Sequence, residues 1–153
     1  MNVFVGEEKI TTSFNIWLEK YGFSARVDGM EPDFAWYRSD NTIVYTFVMS
    51  EIANEKWNSF LFNELDCHYK IDPFWSSFLH ELGHSETVDF ISDEDWRVSD
   101  NLSYEEYFHT VREITATKWA VDFINTNPSA VQDLIDLVMP SVNEFMQKNF
   151  GQS

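Results

Sequence analysis

Apolar side chains recur at helical spacing over residues 7 to 22, where Ile10, Phe14, Trp17, Leu18 and Tyr21 share one face. Tyr21-Gly22 closes that segment, because glycine favours the position just past a helix end. Short extended runs follow. Residues 25 to 27 form a weak one, while residues 34 to 38 and 42 to 48 are stronger, and Ser39-Asp40-Asn41 between them predicts a hairpin in a small antiparallel sheet. The helical period returns over residues 51 to 66 with Ile52, Trp57, Phe60, Leu61 and Leu65 as its apolar set. A third helix is predicted from residue 73, since Asp72 is a favoured N-cap and Pro73 is tolerated at the first helical position. Residues 89 to 101 are polar and acidic without a period, so a loop is expected there. Ser103-x-x-Glu106 has the capping-box pattern and predicts a helix from residue 103 to about residue 125. Asn127-Pro128 interrupts, and helical pieces over 129 to 138 and 140 to 149 complete a mainly helical α+β domain spanning residues 1 to 153.

The third helix carries His80-Glu81-Leu82-Gly83-His84. Residues i and i+4 lie about 40° apart around a helix, so His80 and His84 project from one face while Trp75, Phe78 and Leu82 lie roughly opposite. Two imidazoles one turn apart in an H-E-x-x-H pattern can converge on one Zn²⁺. Glu81, about 100° round from His80, is placed to take a proton from a water on that metal rather than to bind it beside the two histidines. Gly83 costs roughly 1 kcal/mol relative to alanine in a helix interior, which predicts that another element approaches the backbone there. A hydrolytic zinc site has three protein ligands and one open position, so a third ligand is required. Thr87 and Phe90 stand where a metzincin has glycine and histidine, which excludes that pattern. Glu86 is too near to swing round, leaving Asp89, His109 and Glu113. Glu113 is preferred, because Ala116 and Ala120 share its helical face and permit close approach. His109, one turn earlier on the same predicted helix, is the rival ligand, and with Tyr107 a candidate donor to the transition state. The plainer reading of Glu113 is a solvated charge paired with Arg112 or Lys118.

HELGH followed 29 residues after His84 by Glu113-x-x-Ala116-x-x-Trp119-Ala120 resembles the gluzincin arrangement, in particular the small ImmA/IrrE-like metallopeptidases of bacteria and phages. Trp119 stands where that family typically has phenylalanine. The resemblance covers residues 73 to 125. It implies a zincin-like fold with its small sheet beside the active-site helix, zinc held by His80, His84 and Glu113, and peptide hydrolysis with Glu81 as base. It also implies that a free strand edge pairs with extended substrate backbone. The helix-turn-helix that some members carry is not seen, so cleavage of a specific repressor is not implied.

A formal net charge of −16, from 26 acidic and 10 basic side chains, argues against nucleic acid or an anionic membrane as partner and favours a protein or peptide substrate of basic character. Such acidity also admits a non-catalytic class: an acidic binding protein that mimics nucleic acid, or a module with structural zinc. Glu81 weighs against it, since a structural zinc has no use for a base. Single Cys67 permits no intrachain disulfide, and neither a leader nor an 18-residue apolar run is found, so a cytoplasmic monomer is expected. With 14 Phe, 6 Trp and 6 Tyr, some aromatic side chains are expected to line a substrate groove.

Overall fold

A computed structural model of the chain describes residues 6–30, 36–38, 40–45, 51–99 and 101–151. The first helix, α1 (Glu7–Lys20), buries Ile10, Phe14, Trp17 and Leu18. Strands β1 (Arg26–Met30), β2 (Trp36–Arg38) and β3 (Thr42–Tyr45) form one sheet in the order β1-β3-β2. The parts of the predicted strands at 34, 35 and 46 to 48 lie outside the described residues.

The expected hairpin is present, with Tyr37 opposite Ile43, but the expectation of an antiparallel sheet is corrected. The β1–β3 ladder is parallel, pairing Arg26 with Thr42 and Met30 with Tyr45. Strand direction alternates along the chain, so the first and third strands run the same way. Placing β3 in the centre, where Ile43, Val44 and Tyr45 are all buried, makes its pairing with β1 parallel. The Asn15 side chain of α1 bonds both the N–H of Val27, at 2.7 Å, and its C=O, at 3.0 Å, and so occupies a backbone position on β1 that another strand would otherwise take.

Helix α2 (Glu51–Ser59) ends in a π-helical turn over Phe60–Glu64. Trp57, Phe60 and Leu61 of this segment are buried as expected, but Ile52 is 60% exposed. Helix α3 (Pro73–Thr87) begins as the sequence predicts, the Asp72 carboxylate accepting from the Phe74 N–H at 2.8 Å. The acidic stretch expected to be a loop contains a short helix, α4 (Asp93–Trp96), capped by the Ser92 hydroxyl.

The helix predicted from residue 103 is two helices. Helix α5 (Tyr104–Phe108) starts from the expected Ser103/Glu106 capping box but stops at His109. Helix α6 (Val111–Thr126) restarts from Thr110, which sits in the extended conformation an N-cap requires. The last two pieces are instead one helix, α7 (Pro128–Phe150), that runs through Pro140. Its buried Leu134, Val138 and Phe145 keep one apolar face across the proline, and the Trp17 indole donates to the Ala130 carbonyl at 2.9 Å to tie α1 to α7. Among the described residues no helix is long and apolar enough to cross a membrane.

Candidate metal centre

Helices α3 and α6 meet at Gly83. A Cβ on that glycine would lie 2.3 Å from the Ala116 carbonyl oxygen, so the cost of an interior glycine has the packing reason the sequence suggested. This approach brings the first turn of α6 onto the histidine face of α3. The Glu113 carboxylate, 2% exposed, bridges the pair: Oε1 lies 2.9 Å from His80 Nε2 and Oε2 lies 3.2 Å from His84 Nε2. Glu81 is also buried, with Oε2 3.9 Å from His80 Nε2. Donor atoms of His80, Glu81 and His84 all lie within 4.8 Å of one another, so this buried group can hold a metal ion.

The two histidines are fixed differently. His80 Nδ1 lies 2.9 Å from the Thr117 hydroxyl, and Trp57 meets its ring edge-on. His84 packs between Tyr37, whose ring stacks at 6.3 Å, and Trp96, edge-on at 5.6 Å, while its buried Nδ1 has no hydrogen-bond partner among the described residues.

The hydrogen bonds around His80 depend on its tautomer. Three close contacts run in series: Thr117 Oγ1 to the Glu113 carbonyl at 2.8 Å, His80 Nδ1 to Thr117 Oγ1 at 2.9 Å, and His80 Nε2 to Glu113 Oε1 at 2.9 Å. A hydroxyl and a neutral imidazole bring only two hydrogens to these three contacts. When Thr117 donates to the carbonyl and His80 Nδ1 donates to Thr117, the Nε2 lone pair faces a carboxylate. A proton or a cation must then stand between them. A proton suits that place: burial works to lower the His80 pKa, but the Glu113 carboxylate outweighs it and raises the imidazole above its ordinary value. Burial likewise works to raise Glu113, and the bonds from His80 and His84 outweigh it and hold that carboxyl far below the usual range. Glu81 is raised, chiefly by burial.

The donor set also fits a metal ion. Each oxygen of Glu113 meets one imidazole, Oε1 at His80 and Oε2 at His84, at separations comparable to the roughly 3.3 Å between neighbouring ligand atoms of a tetrahedral ion, although the group whose donor atoms all lie within 4.8 Å is His80, Glu81 and His84. The helix break, however, separates the two rival third ligands. His109 ends α5 with its ring on the surface, Nε2 2.8 Å from Glu64 Oε1, and is not among the residues lining the cleft. Asp89 falls in the short 3₁₀ turn after α3.

Beside Glu81, His84 and Glu113 opens a cleft of about 160 Å³, walled by Tyr37, Trp96, Tyr107 and Arg112. The pairing of Glu113 with Arg112 expected on the plainer reading does exist, at 2.6 Å, but it is internal rather than solvated. Arg112 also donates to the Trp96 carbonyl at 3.1 Å and to the Tyr107 hydroxyl oxygen at 3.2 Å, so one guanidinium ties α4 and α5 to the centre. Because Tyr107 accepts that bond, its own proton is left to point elsewhere. Burial first, and then the charge of Glu113, push the phenol up to about 12, so it stays a donor at neutral pH.

Tyr37, Trp96, Arg112 and Thr117 were not picked out from the sequence as site residues. A signal for Trp96 was present in Ser92-Asp93-Glu94-Asp95, an N-cap followed by an acidic first turn. A signal for the break was present in Thr110-x-x-Glu113, a second capping-box pattern. Comparison of the chain with protein-family models, with curated proteins and with solved structures finds no match in any of the three.

Proposed function

We propose that this chain is a zinc-dependent peptide hydrolase of gluzincin type, with His80, His84 and Glu113 as the metal ligands and Glu81 as the base. The observation that carries the reading is the convergence of one buried carboxylate on both imidazoles: Glu113 reaches across from α6 to stand 2.9 Å from His80 Nε2 and 3.2 Å from His84 Nε2, with Glu81 buried beside them. Two imidazoles and one carboxylate are a donor set that suits zinc and leaves one position open. Zinc bound there supplies a Lewis acid for the scissile carbonyl and lowers the pKa of a coordinated water to about 7.

The side chains supply the rest. Glu81, raised by burial and lining the cleft, accepts the proton of the attacking water and returns it to the leaving amine. Tyr107 takes the role that the sequence left between itself and His109. Its phenol, polarised by Arg112, donates to the oxygen on which negative charge develops. Strand β2, at the edge of the described sheet with its Tyr37 packed on His84, offers backbone groups for an extended substrate, and the acidic surface suits a substrate of basic character.

Glu81→Gln tests the division of roles. The variant is expected to bind zinc as wild type does while peptide turnover falls about 10²–10⁴-fold, because a proton acceptor is removed and no ligand. Unchanged turnover of a peptide mixture, scored by mass spectrometry, would remove Glu81 from the mechanism. Tyr107→Phe is expected to lower kcat with little change in KM.

A further inference from the structure

A groove of about 610 Å³ runs beside the metal cleft, and Tyr107 and Arg112 line both. Val98, Ser99, Leu102 and Tyr104 form its other walls, and among the described residues Arg112 is the only charged one lining it. A guanidinium has five N–H groups. Among the described residues Arg112 engages three, to Glu113, the Trp96 carbonyl and Tyr107, which leaves one N–H on each terminal nitrogen without a described partner. Its side chain is 22% exposed, so those groups can be reached.

The charge balance changes when metal enters. The single negative charge of Glu113 is shared among Arg112, His80 and His84. With a divalent ion held by Glu113 and two neutral histidines, and with Glu81 ionised, the ion and the two carboxylates sum to zero, so the positive charge of Arg112 itself is left uncompensated. The net acidity of the whole surface reaches this point weakly, since exposed charges are screened over about 8 Å at physiological salt.

We infer that this groove is a subsite for a carboxylate adjacent to the scissile bond, borne either by an Asp or Glu side chain or by the substrate's own C-terminus, and held by the fork of Arg112. The inference rests on the zinc hydrolase reading and names its substrate class. Substrates are then basic or neutral over most of their length, to suit the acidic surface, with one carboxylate at the reacting end.

The test uses zinc-loaded Glu81→Gln protein, so that binding is read without turnover. Alanine pentapeptides, acetylated and amidated, carry Glu, Gln, Phe or Lys at the centre; one further peptide has a free C-terminus. Trp96 lines the cleft, so tryptophan fluorescence reports binding. The Glu peptide or the free acid is expected to bind about tenfold more tightly than its uncharged counterpart, and whichever does so identifies the source of the carboxylate. Arg112→Gln should abolish the difference. Leu102 lies on the groove wall and is only partly buried, so Leu102→Glu should abolish it too, by repulsion, while zinc affinity stays unchanged. Equal binding of acid and neutral peptides, or a preference that survives Leu102→Glu, overturns the subsite. Hydrolysis by zinc-loaded wild type without carboxylate preference overturns the subsite and leaves the hydrolase reading standing. Failure to take up zinc overturns both, because it is the metal that offsets the carboxylates and leaves the charge of Arg112 uncompensated.

Discussion

His80 shows how much one residue's surroundings add to a motif. The spacing of His80, Glu81 and His84 is local, and a helix fixes it, so these residues were legible in the sequence. The Thr117 hydroxyl that holds His80 comes from another helix 37 residues away, and no local pattern announces it. Thr117→Val keeps the shape and removes the acceptor for His80 Nδ1; zinc affinity is expected to fall about 10- to 100-fold, as read by competition with a chelator. Undiminished affinity would mean that packing against Trp57 suffices to orient the ring. Glu81 allows a second test. Its pKa is raised from the ordinary 4.5, so folding favours its protonated form; the contribution to stability is complete below about pH 4.5 and is lost as pH rises through the raised value. Apo Glu81→Gln suffers no such loss. It is expected to melt above apo wild type at about pH 7, with the gap closing toward pH 4. A gap that widens on acidification would contradict the burial assigned to this carboxyl.

At the scale of elements, the centre depends on how closely α3 and α6 approach. The sequence indicated this through Gly83, Ala116 and Ala120, small residues on what prove to be facing helices. A Cβ at residue 83 meets backbone, which cannot swing aside as a side chain end could. Gly83→Ala is therefore expected to destabilise the protein by about 1–3 kcal/mol in chemical denaturation, even though alanine is the better helix former by about 1 kcal/mol. The same change should displace Glu113 and weaken zinc binding. A variant of increased stability would show that the helices can separate at little cost. The division between α5 and α6 is hidden in the sequence because the Ser103 box and the apolar spacing beyond it are both consistent with one long helix. Thr110 interrupts it, its hydroxyl bonding the Tyr107 carbonyl at 2.8 Å. The break turns His109 outward and Arg112 and Glu113 inward.

At the scale of the whole molecule, topology was the least legible feature. The hairpin is a local pairing and was found, whereas the parallel β1–β3 ladder depends on which strand takes the centre, a matter of packing against α1 and α3. Charge is the property best read from composition. The described pairs at the surface, such as Lys9 with Glu144 and Lys20 with Asp133, are exposed and contribute little each. They leave most of the acidic excess unbalanced, so self-repulsion opposes the compact state. The melting temperature of the apo protein is expected to rise by a few degrees between low salt and about 0.3 M NaCl, where screening is strong. A fall with salt would show that attractive pairs dominate the surface.

The central claim is that Glu113 completes the metal site and Glu81 does not. Both carboxylates are buried beside the histidines, and Glu113 is the closer to both imidazoles. Titration of apo Glu113→Ala and apo Glu81→Gln with zinc against a competing chelator separates them. The expected result is one zinc per chain bound with wild-type affinity by Glu81→Gln, and affinity lower by orders of magnitude in Glu113→Ala. Tight binding by Glu113→Ala together with loss in Glu81→Gln would make Glu81 the ligand, leave the site without its base, and contradict the account.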